Sequence, residues 1–371
     1  MRSALPVVCA LLTTGMAFAL EPTPDDGLSF EQPTSRLEIS FGMMYRYTAS
    51  VAPDAPDPAD DLTHGFAFRR LRPIFEGDLA EGKITYFAML AGEKDSPDVI
   101  DAFLTFEPAE DWRLRVGQFR LNFSREMSMS SSRQLAADRG SIANNINPGQ
   151  SARVQGVEAR WASGRDRVHA TLSEGVGHAN TDFNDQSGDW GATLRYERLL
   201  IGEKFKQFDQ FSAPLETPRG LMLGLGGHAQ HEDGAGDRVA WAADLSYQDS
   251  GFNAAFIHVG HVAEDRNQGA FPEPESLFGA VALAGLFITD TVEPFVRYEW
   301  GTTSDENHPD LNLITVGVNW YIAGQALKFT TDFNIAFDGV GRAFDRPGDG
   351  LIRTPDGDTR YYLRSQILVL F

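Results

Sequence analysis

An alternation of apolar and polar residues with a period of two recurs along this chain up to its final residue. In the last segment, apolar side chains occupy every second place but one, at Tyr361, Leu363, Ile367, Val369 and Phe371. This pattern is typical of a strand with one apolar face. No stretch after Ala19 contains 18 consecutive apolar residues, so the sequence does not predict a membrane-spanning helix.

Sixteen segments carry the strand pattern. They lie near residues 36–48, 65–79, 82–92, 98–107, 112–119, 153–162, 166–175, 188–198, 219–232, 239–249, 251–261, 276–289, 291–302, 311–322, 325–338 and 360–371. Many are longer than the roughly 5–6 residues of a soluble strand and long enough for a tilted membrane strand of about 9–11 residues. Aromatic residues gather near the segment ends, and short turns alternate with long links, as in outer-membrane barrels. The sequence therefore predicts an all-β fold, a 16-stranded antiparallel transmembrane β-barrel.

One connection departs from this pattern. The link Leu199 to Pro218 falls where a short turn is expected, yet it is long. We expect either a small extra element there or a miscount by one hairpin.

The N-terminal stretch "MRSALPVVCALLTTGMAFALEP" has one charge, an apolar run and an A-x-A site. These features predict a signal peptide over residues 1–19 and a barrel over residues 20–371. The alternative, a buried first helix, is disfavoured because "EPTPDD" follows at once. The only cysteine, Cys9, lies in the predicted signal, so no disulfide or cysteine metal site is expected in the mature chain.

Charge narrows the possible partners. The formal net charge is −20, there are only five lysines, and the acidic residues cluster in predicted loops. A nucleic-acid-binding surface is therefore not expected.

Arginine rows mark the candidate pore lining. Arg70 and Arg72 share one face of the second segment, and Arg113 and Arg115 share one face of the fifth. Charges on the lipid side would cost about 2–4 kcal/mol each near mid-bilayer, so both rows are predicted to face the lumen. A guanidinium offers phosphate or carboxylate a planar fork of donors. The alternative for each arginine is an internal salt bridge, such as Arg70 or Arg72 with Glu76.

The order of four motifs, "RRLRPIFEG", "DAFLTF", "LRVGQF" and "FSREMSMSSSR", resembles the phosphate-selective porin O and P family. The resemblance implies homotrimers of 16-stranded barrels in the Gram-negative outer membrane, each barrel with its own pore. It also implies that the third outer loop, here residues 120–152, folds inward as a constriction loop. That loop carries Arg120, Arg125, Arg133 and Arg139.

Resemblance to outer-membrane proteins in general assigns a second role to the last strand. Tyr361, Leu363, Ile367, Val369 and Phe371 would form the signal that the barrel-assembly machinery engages. One departure concerns the solute, because phosphate-specific members add a lysine cluster that five lysines cannot readily supply. The resemblance therefore supports the family fold but not phosphate specificity, and phosphate is kept only as one possible solute.

The predicted function is passive diffusion of small hydrophilic solutes with a preference for small anions, in contact with outer-membrane lipid. Two alternatives stay open: an outer-membrane β-barrel enzyme such as a lipase, and a secreted soluble glycan-binding β-protein. No catalytic motif, metal site or cofactor site is predicted. The histidine pairs His228/His231 and His258/His261 are three residues apart on strands and should face opposite sides.

Overall fold

The structure is a computed structural model of the chain that describes residues 19–23, 27–51, 62–93, 98–146, 148, 153–174, 189–232, 236–263, 276–304, 310–354 and 358–371. Its strands are β1 (Ala19–Thr23), β2 (Gly27–Gln32), β3 (Ser35–Val51), β4 (Leu62–Leu79), β5 (Ile84–Ala91), β6 (Asp98–Ala109), β7 (Trp112–Arg120), β8 (Arg153–Ser163), β9 (Asp166–Ser173), β10 (Trp190–Ile201), β11 (Gly220–Glu232), β12 (Gly236–Asp249), β13 (Phe252–Ala263), β14 (Ser276–Leu286), β15 (Val292–Thr303), β16 (Leu311–Gln325), β17 (Leu327–Phe337) and β18 (Arg360–Leu370). The helical elements are α1 (Arg125–Ser128), α2 (Ser141–Asn145) and 3₁₀ turns at Ser131–Arg133, Phe205–Asp209 and Pro347–Asp349. None of the helices in the described residues is long and apolar enough to span a membrane.

Strands β3 to β18 form one closed antiparallel barrel. Each strand pairs with the next along the chain, and β18 pairs with β3 to close the ring. At this seam the Phe371 N–H donates to the Phe41 carbonyl at 3.0 Å, and the two rings lie 5.3 Å apart. The prediction of a 16-stranded barrel is confirmed, and each predicted segment coincides with one barrel strand.

Strands β1 and β2 lie outside this closure and were not predicted from the sequence. Strand β2 pairs with the first part of β3, from Leu28↔Ile39 to Gln32↔Ser35, and β1 pairs with β2. Residues 1–18, which hold nearly all of the predicted signal peptide, lie outside the described residues.

The alternation seen in the sequence separates the two faces of the wall. On β10, Trp190 and Leu194 are exposed, whereas Thr193, Arg195 and Glu197 are buried. Other strands repeat this pattern with exposed apolar residues such as Leu172, Phe256 and Val316. A closed barrel has only an outer and an inner face, so the exposed apolar rows form the outer surface.

Short turns collect at one end of the barrel and the longer links at the other. The long connection at residues 202–219, here called the long turn, lies at the short-turn end. It contains the 3₁₀ turn Phe205–Asp209, with Phe208 buried against Leu199 and Met222. The first of the two expectations for this link is therefore correct, and the count of sixteen strands holds.

Candidate functional site in the barrel interior

Residues 121–146, here called the inner segment, contact the inner wall on several sides. Asp244 of β12, Glu299 of β15 and Asp332 of β17 accept hydrogen bonds from its backbone N–H groups at 3.1, 3.0 and 3.0 Å. Lys328 of β17 donates to the carbonyl oxygen of Gln134 at 3.0 Å. One segment can reach the buried faces of these separate strands only from within the barrel.

Glycines on the inner wall make room for this segment. A β-carbon at Gly226 would collide with the carbonyl oxygen of Phe123, and one at Gly279 or Gly301 would press on Ile142. The glycine-rich stretch of β11 therefore allows a close approach of two backbones.

A large apolar cluster occupies part of the interior bordered by β12 to β18. Phe123, Leu135 and Ile142 of the inner segment pack there with wall residues such as Leu283 and Phe295. The link between β17 and β18 contributes Val340, Phe344 and Leu351 to the same cluster. Polar and charged side chains also line this half, among them Arg297, Glu299 and Arg364, and further polar side chains lie toward β4 and β7 to β9.

Asp138 of the inner segment organises the arginines next to this polar space. Its carboxylate contacts Arg46 of β3 at 2.9 Å, and Arg69 and Arg70 of β4 at 2.8 and 3.5 Å. Burial alone would raise the pKa of Asp138, but Arg69, Arg46 and Arg70 outweigh burial and hold this pKa well below its ordinary value.

Three of the predicted arginines have little or no carboxylate compensation within the described residues. Arg120 donates to the Met129 carbonyl at 2.9 Å, and Arg139 donates to the same oxygen. Neither has a carboxylate within salt-bridge distance there, and Arg70 has only the 3.5 Å contact with Asp138. Arg70 Nε is also buried without a hydrogen-bond partner. We call Arg70, Arg120 and Arg139 the arginine trio.

The members of the trio interact electrostatically, and Arg139 stays charged. Arg120 is within electrostatic range of both Arg139 and Arg70. Burial, with Arg70 next, lowers the pKa of Arg139 to about 10, so this guanidinium is protonated at neutral pH. Burial also raises the pKa of the nearby Glu126 carboxyl against the opposing charge of Arg297.

The remaining predicted wall arginines have carboxylate partners. Arg72 bonds to Glu93. Arg115 contacts Glu158 at 2.7 Å and lies over the Phe119 ring. Arg113 is half exposed near the turn between β6 and β7 and contacts Glu107 at 2.5 Å.

Arg125 and Arg133 lie apart from the trio, where the inner segment meets the long turn. Arg125 is buried and donates to the Gln210 carbonyl at 3.1 Å. Burial, opposed by Asp244, lowers its pKa to about 10, so Arg125 also keeps its charge. Arg133 is exposed at the end of the 3₁₀ turn Ser131–Arg133.

Sequence reasoning missed Arg46, Arg69 and Arg153. The β3–β4 register shifts beside Arg69, so Arg69 and Arg70 both reach Asp138 although they are adjacent. Arg153 of β8 pairs with Asp101 of β6 at 3.0 Å, across the intervening strand β7. The available signal was their place next to predicted residues, in "RRLR" and just after the 120–152 link.

The five residues predicted as the assembly signal share the outer face of β18 or follow it directly. Leu363, Ile367 and Phe371 are exposed, and Tyr361 stacks on Phe333 at 6.2 Å. Val369 is half-buried on the same face.

The histidines do not form a metal site in the described part of the chain. His228 is buried and lies 2.8 Å from Thr193 Oγ1, whereas His231 contacts Asp237 at 2.6 Å. No group of three or more histidine, cysteine, aspartate or glutamate residues is placed to hold a metal within those ranges.

Comparisons with known proteins agree with this geometry. The family model of phosphate-selective porin O and P matches residues 41–198. No curated protein matches the sequence.

Solved porin structures share the fold. An anion-selective porin from Comamonas acidovorans has a TM-score of 0.62 at 11% identity, with 91% of this chain and 100% of that chain covered. The outer membrane channel DcaP of Acinetobacter baumannii has a TM-score of 0.60 at 10% identity, covering 92% and 99%. In vitro folded OmpT of Vibrio cholerae, in its trimer form, has a TM-score of 0.58 at 11% identity, covering 90% and 99%.

The resemblance predicted from the motifs is confirmed over residues 41–198, and all four motifs lie within the match. Together with the closed barrel, the match identifies the chain as a porin of the Gram-negative outer membrane, with residues 41–198 assigned to the phosphate-selective porin O and P family.

Proposed function

We propose that this porin conducts small hydrophilic solutes passively and prefers anions, with the arginine trio at its narrowest point. The inner segment is the constriction loop in this proposal. Phosphate is one candidate solute among small oxyanions.

The observation that carries this proposal is the shortage of carboxylates around the trio. Arg120 and Arg139 share one carbonyl acceptor, although each guanidinium has several donors. Arg139 is buried and also donates to the Glu126 carbonyl, so Arg70 and Arg120, which are half-buried, are the members placed to meet a passing anion. In this proposal the path for ions runs beside these arginines, on the side of the interior away from the apolar cluster.

The net charge of −20 argues for cation preference, but its distribution matters more than its sum. The acidic residues cluster in loops, and salt screens their field over about 8–10 Å at ordinary ionic strength. Arginines beside the path therefore determine selectivity.

The experiment is the zero-current potential across a tenfold KCl gradient for the parent, Arg70→Gln and Arg120→Gln. We expect an anion-selective parent and a several-fold lower anion-to-cation permeability ratio in each variant. One charge about 4 Å from an ion contributes about 1 kcal/mol in water, which corresponds to about fivefold.

Arg198→Gln serves as the matched control. Arg198 contacts Asp166 at 2.9 Å at the short-turn end, on the outer row of β10, so its loss should leave the potential unchanged. A parent pore that prefers cations would overturn the proposed anion selectivity.

Arg113 and Arg115 remain in the proposal as lining residues with smaller effects, because Glu107 and Glu158 offset their charges. Arg72, Arg125, Arg133 and Arg139 complete the proposed anion-binding set. Their individual contributions follow from the same potential measured on single glutamine variants.

Assembly and processing complete the proposal. Residues 1–19 act as the signal peptide, and the outer row of β18 is the element that the barrel-assembly machinery engages. The mature barrel sits in outer-membrane lipid as a homotrimer, as the trimer form of OmpT suggests by analogy of fold. Cross-linking of membranes tests the trimer.

A further inference from the structure

A second polar cavity lies between the inner segment, the long turn and strands β9 and β10. Its volume is about 220 Å³. It is lined by Asn122, Arg125, Ser128, Met129, Ser130, Arg133, Arg167, His169, Glu197, Phe208 and Asp209.

The cavity lies on the short-turn side of the arginine trio. Arg167 is the second residue of β9, directly after the turn from β8, and Glu197 lies in the last third of β10, close to the long turn. Phe208 and Asp209 belong to the long turn itself. A solute that passes the trio would meet this cavity before leaving the barrel at that end.

Two of its three arginines have no carboxylate partner in the described residues. Arg125 donates from Nε to Ser246 Oγ at 3.2 Å and from Nη2 to the Gln210 carbonyl, but it makes no salt bridge there. Arg133 is exposed, and its side chain makes no hydrogen bond or salt bridge within that part of the chain.

The third arginine uses a carboxylate that is already shared. Glu197 contacts Arg167 at 2.5 Å and Arg195 at 3.0 Å, while Arg195 is itself fully buried. The other lining carboxylate, Asp209, is exposed on the long turn. Arg195 also pairs with Asp244 at 2.8 Å, so four guanidinium charges in and beside the cavity face three carboxylates, Glu197, Asp209 and Asp244.

The aromatic rings of the long turn hold these arginines in place. The Arg125 guanidinium lies 5.5 Å from the centre of the Phe208 ring, and that of Arg167 lies 4.3 Å from the centre of the Phe205 ring. Cation–π contacts of this kind orient a guanidinium without neutralising its charge.

We propose that this cavity is a second binding site for a small oxyanion, in series with the arginine trio, and that the long turn exists to build it. The inference rests on the proposed anion selectivity, because it places the second site on the same path. Arg133 supplies a guanidinium whose donors are free of other described partners, and Arg125 supplies a buried positive charge in a fixed position. Asn122, Ser128 and Ser130 supply further polar groups.

Met129 separates the two sites. Its carbonyl accepts from Arg120 and Arg139 on the trio side, and the residue also lines the second cavity. Two moderate sites a short step apart suit conduction, since an ion that leaves one site is caught by the next without being trapped.

The test is calorimetric titration of the purified full chain in detergent with inorganic phosphate, in a chloride-free buffer. We expect two phosphate sites per chain in the parent. Arg133→Gln should weaken one site by about tenfold or more, because hydrogen bonds to a charged group are lost, and leave the other unchanged. Arg120→Gln should weaken the other site instead.

Three controls define the chemistry. Arg133→Lys keeps the charge and should restore part of the affinity, and Arg219→Gln, at an exposed residue paired with Asp249 outside the cavity, should bind like the parent. Acetate should compete with phosphate at the Arg133 site more strongly than chloride does, since a fork of donors matches two oxygens.

A single phosphate site in the parent, or Arg133→Gln binding identical to the parent, would overturn the second site. Either result would leave the zero-current potential of the parent anion-selective, so the proposed function would stand. Cation preference in the parent would remove the proposed function itself.

Discussion

Gly226 illustrates how single residues determine the geometry of the interior. It faces the Phe123 carbonyl oxygen, whereas its neighbour Gly227 points to the outer surface with nothing within 4 Å of an added β-carbon. Substitutions at these two adjacent glycines therefore distinguish the need for space at the inner wall from the general effect of replacing a glycine in a strand.

We predict that Gly226→Ala destabilises the barrel by about 1–3 kcal/mol, because the inner segment must move away from β11. Thermal unfolding in detergent measures this, and single-channel conductance reports the displaced segment. Gly227→Ala is the matched control and should resemble the parent. Equal Tm values for both variants would show that the barrel wall accommodates the added methyl group without loss of stability.

A second prediction concerns the stability of a variant at Asp138. Asp138→Asn leaves Arg70 without a salt-bridge partner among the described residues and leaves Arg46 and Arg69 to share Asp349 alone, so it should cost about 3 kcal/mol at pH 7. The pKa of Asp138 is depressed in the folded chain. Its stabilising contribution is therefore complete above an unfolded pKa of about 4 and is lost as pH falls through the lower folded value.

The measurement is Tm against pH for the parent and the asparagine variant. The difference between the two curves should be largest at neutral pH and shrink below about pH 4. A difference that stays constant down to acid pH would contradict the role assigned to this carboxylate.

The site could be predicted from the sequence only where neighbours in the chain carry it. Arg70 and Arg72 follow from alternation on one strand. Arg46 and Arg69 depend on Asp138, which lies 92 and 69 positions away, and Arg69 also depends on a register shift. No local sequence pattern indicates so distant a partner, so the cluster of arginines around Asp138 was not predictable.

Among the elements, the long turn departs furthest from an ordinary porin turn. It folds back toward the lumen, where Phe208 packs on Leu199 and Met222, and the carbonyls of Gln210 and Phe211 accept hydrogen bonds from Gln248. The turn is thus packed as part of the interior.

Phe208→Ala should loosen the long turn by about 3–5 kcal/mol, the usual cost of truncating a buried phenylalanine. Lys204 and Lys206 are exposed within the turn, so trypsin cleavage there reports local opening. We expect cleavage at least about a hundredfold faster than in the parent. Leu200→Ala, at an exposed neighbouring position, is the control and should be cleaved like the parent. Cleavage of Phe208→Ala as slow as that of the parent would mean that backbone hydrogen bonds, and not the Phe208 side chain, stabilise the turn.

Element positions were predictable because alternation must match the wall of a barrel. The filling of the interior was not, and β14 explains why. Its inward residues Leu277, Val281 and Leu283 are apolar like its outward ones. An apolar residue facing lipid and one facing a packed loop have the same physical preference, so the pattern does not distinguish them.

For the whole molecule, closure between β18 and β3 is what makes the fold a barrel. The seam includes the backbone bonds and ring contact between Phe371 and Phe41. A closed barrel leaves no unpaired strand edge in lipid.

We predict that the protein fractionates with outer membranes and changes its gel mobility on boiling. Phe371→Ala should lower the temperature of this shift slightly, since an aromatic pair contributes about 0.5–1.5 kcal/mol, whereas Phe371→Tyr should retain the parent value. Recovery in the periplasm without detergent would rule out the membrane barrel.

The apolar filling beside β12 to β18 also sets how the pore behaves in time. Swinging the inner segment aside would bring Phe123, Leu135 and Ile142 into water, at about 1.5–3 kcal/mol each. The total of roughly 5–9 kcal/mol keeps the displaced form below about one molecule in a thousand. The arginines on the inner segment therefore keep their positions while ions pass. The pore then selects solutes by a fixed arrangement of charges and does not require a movement of this segment.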